Sequence, residues 1–176
     1  MKHLVLGGVK SGKSRYAETL AADVASKTKF NVALVATAQA LDEEMTQRIS
    51  KHQIQRPDNW VVIEEPVDLA KALRDLDADP SVGVIVIDCL TLWLTNLLVK
   101  PEVVDHKDSF ISVFKGQLET TDTPCILVSN ETNMGLIGMD KLTRDFCDEA
   151  GRLHQSLATI CDHVSLVVAG LPLSVK

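Results

Sequence analysis

The run Gly7-Gly8-Val9-Lys10-Ser11-Gly12-Lys13-Ser14 fits G-x-x-x-x-G-K-[ST], the spacing of a loop that cradles phosphate groups. Glycines let the backbone enter φ > 0 and come close to a ligand. If a helix starts where the run ends, its unpaired N–H groups and positive dipole end converge on one point. In that geometry Lys13 reaches the β- and γ-phosphates and the Ser14 hydroxyl holds Mg²⁺. Leu4-Val5-Leu6 just before it reads as a strand, and Ala17, Leu20, Ala21 and Val24 after it fall at i, i+3, i+4, i+7. An empty Gly-rich turn before a helix is the plain alternative, and the flanking strand and helix weigh against it.

Three other groups of residues could do chemistry. Val84-Ile85-Val86-Ile87-Asp88 is an apolar strand ending in a carboxylate, which reads as a turn or cap residue or as a Walker B ligand for Mg²⁺ opposite Ser14. The phosphate loop favours the second reading. Thr91, Thr95 and Asn96 follow at a spacing that suits the polar face of an amphipathic helix. Ser129-Asn130-Glu131-Thr132-Asn133-Met134-Gly135 follows the apolar run Ile126–Val128, and it is either a site at a strand end or a solvated turn. His52 lies in a predicted helix over Asp42–Gln55, three residues after Ile49 and seven after Met45. By spacing alone it is a packed histidine. Its cationic neighbours Arg48, Lys51 and Arg56 favour neutral imidazole, the form with a lone pair.

These residues need elements to position them. Apolar runs at Leu4–Leu6, Val32–Ala36, Val61–Ile63, Val82–Ile87, Ile126–Val128 and Val164–Ala169 alternate with helical patterns. Short continuous β-branched runs suit strands buried on both faces of a parallel sheet. The longest predicted helix runs from Asp140 to Cys161, with Leu142, Phe146, Ala150, Leu153, Leu157 and Cys161 along one stripe. Gly151 interrupts it, which points to close packing or a ligand there. A weaker helix opens at Asp105-His106-Lys107-Asp108. The pattern is that of an α/β three-layer domain with a mostly parallel central sheet, the RecA-like phosphate-loop NTPase arrangement, in which ligands sit at the strands' carboxyl ends.

At 176 residues the chain reads as one domain, 1–176, long enough to bury about 70% of its unfolded surface. A net charge of −6 argues against a nucleic-acid surface. No window approaches the roughly 18 apolar residues of a transmembrane span. Cys89, Cys125, Cys147 and Cys161 show no C-x-x-C pairing and read as buried reduced thiols, which points to the cytoplasm. Neither N-K-x-D nor L-S-G-G-Q occurs, so a common GTPase switch and a transporter ATPase are disfavoured. A small-molecule kinase and a nucleotide-binding regulator stay open.

Five stretches together resemble the bifunctional adenosylcobinamide kinase / adenosylcobinamide-phosphate guanylyltransferase family of cobalamin biosynthesis. They are GGVKSGKSRYAE from Gly7, VATAQALDEEMTQRISKHQIQRP from Val35, VIDCLTLWLTNLL from Val86, VSNETNMG from Val128 and RDFCDEAGRLHQ from Arg144. The resemblance implies phosphorylation of the aminopropanol hydroxyl of adenosylcobinamide by ATP or GTP. It also implies transfer of GMP from GTP through a histidine to adenosylcobinamide phosphate, with pyrophosphate released. The family's histidine falls on His52, a role that only the resemblance supplies. Thr37, Gln53, Ile54, Gln55, Arg56, Glu64 and Asp88 match its further nucleotide contacts. A homotrimer is implied as well. The chain departs from the family pattern at Asn133, where Gly is usual, at Gly138, where Pro is common, and at His154, where Asn is frequent. The first departure would be silent if Asn133 adopts φ > 0, and the second would loosen its loop.

Overall fold

The computed structural model describes residues 1–28, 30–39, 60–135 and 138–176. Seven strands form one sheet: β1 (Lys2–Gly7), β2 (Asn31–Ala36), β3 (Val61–Glu64), β4 (Val82–Asp88), β5 (Cys125–Asn130), β6 (His163–Val168) and β7 (Leu171–Ser174). Their order is β3-β2-β4-β5-β1-β6-β7, parallel throughout except for the β6–β7 pair. The helices are α1 (Lys13–Thr28), α2 (Leu69–Asp77), α3 (Leu90–Val99), α4 (Lys107–Thr120) and α5 (Lys141–Ile160), with a 3-10 turn at Val104–His106 before α4.

The alternating direction of strand side chains divides the core into two layers. On one face Ile85, Ile87, Leu127 and Leu4 meet Leu73 of α2, Trp93 of α3, Phe114 of α4 and Leu153 of α5. On the other, Val84, Val86, Ile126 and Val5 meet Ala17 and Ala21 of α1, with Trp60 beside them. Central strands flanked on both faces have no solvated side, which is why they read as unbroken apolar runs. Trp93 and Phe114 pack edge to face at 5.0 Å between ring centroids, filling the space under α3 and α4. The three-layer, mostly parallel architecture expected from the sequence is therefore present.

Two strands depart from expectation. β3 lies at the sheet edge, so Val61, Val62 and Glu64 are exposed rather than buried on both faces. β7 was not expected at all. Its sequence Leu-Pro-Leu-Ser carries a proline and is exposed throughout, as an edge strand tolerates. Ala169 and Gly170, both at positive φ, close the two-residue turn between β6 and β7. Such a turn suits a hairpin whose strands twist right-handedly.

The α5 helix starts and stops where predicted. The Asp140 carboxylate caps it by accepting the Thr143 N–H at 2.8 Å. Its stripe is buried at Ala150, Leu153 and Leu157 but open at Leu142, so the first turns stand clear of the core. Of the four cysteines, Cys89, Cys125 and Cys161 are buried and Cys147 is only partly so.

Behind α3, Asn96 is buried and donates through Nδ2 to the carbonyls of Thr37 and Pro66, each at 3.0 Å. It fastens the exit of β2 to the segment that leads into α2. Asn96→Ala leaves the buried Thr37 carbonyl and the half-buried Pro66 carbonyl without that donor and should cost about 1–3 kcal/mol in urea unfolding.

Candidate functional site

β1 ends at Gly7 and α1 begins at Lys13, so the phosphate loop spans a strand exit and a helix entry. Its shape depends on close backbone approach. Gly12 has φ +95°, and a Cβ there would meet the Cα of Gly170 at 3.1 Å. A Cβ on Gly7 would run into Ser11 Oγ and meet the Val167 carbonyl oxygen at 2.8 Å. Gly8 faces open space. The hairpin turn supports the loop from behind, with the Gly170 N–H donating to the Ser11 carbonyl at 2.7 Å. Lys13 Nζ folds over the loop to the Gly8 carbonyl at 3.2 Å. Burial lowers the Lys13 pKa, and Asp88 at the end of β4 opposes that shift. Ser14 stands in the first turn of α1 and Asp88 is half-buried. Val9 and Lys10 form the exposed crest, with Lys10 at φ 56°.

A layer of buried polar groups lies under the strand ends. Thr37 is fully buried; its Oγ1 donates to the Cys89 carbonyl at 2.7 Å and accepts the Cys89 N–H at 2.9 Å. Its own N–H reaches the Asp88 carbonyl at 3.3 Å. All its polar groups thus have protein partners, and what Thr37 does is fix the main chain beside Asp88. Burial pushes the Cys89 thiol up to about 11, so it stays protonated at neutral pH. Thr91 lies on α3 as its spacing suggests, and that polar face turns inward. Its Oγ1 accepts the Asn130 N–H at 2.7 Å and lies 3.3 Å from Ser129 Oγ. Ser129 Oγ in turn lies 2.8 Å from His154 Nε2.

The loop after β5 borders a cleft of about 690 Å³ against α5, lined by Thr132, Asn133, Gly135, Arg144, Cys147 and Arg152 among others. Asn133 Nδ2 donates to the Cys147 carbonyl at 3.1 Å and stands 2.8 Å from where a Gly151 Cβ would be. That contact explains the glycine within the helix. Asn133 is not among the residues at positive φ, so its effect is a bracket across to α5 rather than a silent turn. Gly138 is also tighter than expected, since a Cβ there would run into the Thr143 side chain. Glu64 is exposed at the carboxyl end of β3. His52, Gln53, Ile54, Gln55 and Arg56 lie outside the described residues.

Comparison with known proteins accounts for this arrangement. The family model for cobinamide kinase / cobinamide phosphate guanyltransferase matches residues 3–175. The chain belongs to that family. It is 44% identical to the bifunctional adenosylcobalamin biosynthesis protein CobP of Pseudomonas aeruginosa, covering 100% of this chain and 98% of that one. It is 34% identical to the bifunctional adenosylcobalamin biosynthesis protein CobU of Escherichia coli, over 100% of each. Among solved structures, a KaiC-like protein of Pyrococcus horikoshii superposes with TM-score 0.54 at 14% identity, covering 94% of this chain and 69% of that one. This last likeness concerns the fold alone.

Within this cobinamide kinase / guanyltransferase chain, sequence reasoning missed the Gly170 turn. The only local signal is Ala-Gly after an apolar run, a weak hairpin cue beside Asn-Gly. His154 was visible only as a departure from the family pattern. Burial lowers its pKa, with the Glu131 carboxylate opposing, so the imidazole is neutral near pH 7. Glu131 Oε2 at 3.9 Å from Nδ1 is then a neighbour, not an ion pair.

A histidine held below its ordinary value of about 6.5 stays neutral in the fold while the unfolded chain takes up a proton. Its stabilising contribution is complete above about pH 6.5 and is lost as the pH falls towards the folded value. His3, lowered by burial and by His163, acts in the same direction. Urea midpoints should therefore drop between about pH 7 and about pH 5, and His154→Asn should flatten part of that slope.

Proposed function

We propose that the chain runs both reactions of its family at one nucleotide site, within a single domain spanning residues 1–176. The observation that carries this reading is the phosphate loop, whose backbone is fixed by Gly7, Gly12 and Gly170 and whose Gly8 face is open. Ser11 Oγ supports it: that hydroxyl is buried with no hydrogen-bond partner among the described residues, an arrangement a phosphate oxygen would satisfy.

In the kinase reaction the hydroxyl of adenosylcobinamide attacks the γ-phosphorus of ATP or GTP. Lys13 and the loop amides stabilise the charge that gathers on the phosphate oxygens. In the guanylyl reaction His52 attacks the α-phosphorus of GTP and pyrophosphate leaves. The GMP then passes to a phosphate oxygen of adenosylcobinamide phosphate, giving adenosylcobinamide-GDP. A covalent intermediate divides a transfer between two bulky anions into two easier steps. Ser14 and Asp88 are the hard oxygen donors for Mg²⁺, which would neutralise charge on the phosphates when bound. No cluster of three or more His, Cys, Asp or Glu side chains suited to a metal occurs among the described residues. A donor set of few protein oxygens suits an ion held largely by substrate phosphates and water.

Gln53, Ile54, Gln55, Arg56 and Glu64 are proposed to touch the nucleotide, with Thr37 holding the adjoining main chain in place. The segment that carries His52 joins the site edge at β2 to the start of β3. A homotrimer, by family resemblance, and a cytoplasmic location, from the free cysteines, complete the reading. No helix among the described residues is long and apolar enough to cross a membrane.

Incubation with α-labelled GTP and Mg²⁺ should leave acid-labile label on the chain, and His52→Ala should abolish it. Equal labelling of that variant would remove His52 from the mechanism. Lys13→Ala should lower both half-reactions by about 10²-fold or more, because both use one phosphate cradle. Full guanylylation by that variant would rule out a shared site.

A further inference from the structure

Because β5 lies between β1 and β4, the chain that leaves its carboxyl end emerges between the phosphate loop and Asp88. The first residue out is Glu131. Its N–H donates to the Gly7 carbonyl at 3.0 Å, which ties it to the first residue of the loop. Its side chain faces α5: Oε1 accepts the Asn133 N–H at 2.6 Å, and Oε2 stands 3.9 Å from His154 Nδ1. The next two residues, Thr132 and Asn133, line the cleft against α5. Glu131 therefore stands where the cleft meets the phosphate loop.

The carboxylate is prepared for more than structure. Its side chain is 14% exposed, enough to be reached and little enough to be held. Among the described residues it pairs with no lysine or arginine, and Oε2 accepts no hydrogen bond. Behind it, His154 is fixed by Ser129 Oγ at 2.8 Å, and Ser129 by Thr91, so the wall that orients Glu131 is itself braced. Lys13, a cation of the loop, instead donates to the Gly8 carbonyl at 3.2 Å.

We infer that Glu131 is the proton acceptor of the kinase half-reaction, an inference that rests on the two-reaction reading above. As the substrate hydroxyl oxygen bonds to the γ-phosphorus, its proton passes to Glu131 Oε2. The bond between the γ-phosphorus and the bridging oxygen breaks, and the nucleoside diphosphate leaves with that electron pair. Glu131 later releases the proton to water through the cleft. The guanylyl steps need no such group. A neutral imidazole attacks with its lone pair, and the accepting phosphate oxygen is already ionised.

The difference gives a test that separates catalysis from folding. Purified wild type and Glu131→Gln are compared for phosphorylation of adenosylcobinamide from γ-labelled GTP and for self-labelling by α-labelled GTP. Glu131→Gln should lose about 10²- to 10⁴-fold in the first and stay within a few-fold of wild type in the second. Kinase activity within a few-fold of wild type overturns the inference. Parallel loss of both labels in a variant that still melts cooperatively also overturns it, since the residue would then serve nucleotide binding as a whole. If Glu131→Gln does not fold, Glu131→Asp takes its place: it must lower the kinase step selectively, and a uniform loss or none overturns the inference. A wild type that forms no phosphorylated product would instead overturn the two-reaction reading, so the two failures are distinguishable.

Discussion

One strand placement governs this molecule: β5 is inserted between the strand that carries the phosphate loop and the strand that carries Asp88. The insertion separates the strand ends Gly7 and Asp88 by one strand spacing on each side of β5, about 4.8 Å each. That leaves room at the carboxyl edge for a phosphate chain with opposite charges around it. It also sends Ser129, Asn130 and Glu131 out at the middle of the site. In a parallel sheet every strand ends at the same edge, so one choice of order gathers the whole polar set.

Beneath that edge, hydrogen bonds do what ion pairs could not do cheaply. Thr37, Thr91, Asn96, Ser129 and His154 are neutral groups, most of them buried, and each has partners. A buried charge would carry a desolvation cost that these groups avoid, and satisfied neutral networks still fix geometry. The charged side chains around the phosphate loop, Lys10, Lys13 and Asp88, are instead exposed or half-buried. Lys13 is the intermediate case, and its lowered pKa records the burial that comes with its place over the loop.

How much of this was legible in the sequence varies with the range of the interaction. The phosphate loop and the long helix from Asp140 are local patterns, and both stand where the residues put them. The central strands were readable because burial on both faces leaves an unbroken apolar signature. β7 was not, because an exposed edge strand four residues long, with a proline, carries no such signature. Thr91 and Asn96 were recognisable as a polar face, but periodicity cannot say whether that face meets water or the ends of strands. Asn133 and Gly138 were misjudged for a similar reason. Their effects come from Cys147, Gly151 and Thr143, partners brought near by folding and invisible to local conformational preference.

The contact between Gly12 and Gly170 joins positions far apart along the chain. The phosphate loop precedes its backing along the chain, so its final shape waits until residue 170 has been added. Parallel pairing of β1 with β5 and β6 imposes the same delay. A nascent polypeptide of this type should therefore bring the loop to its folded shape late and abruptly, once the β6–β7 hairpin has been made.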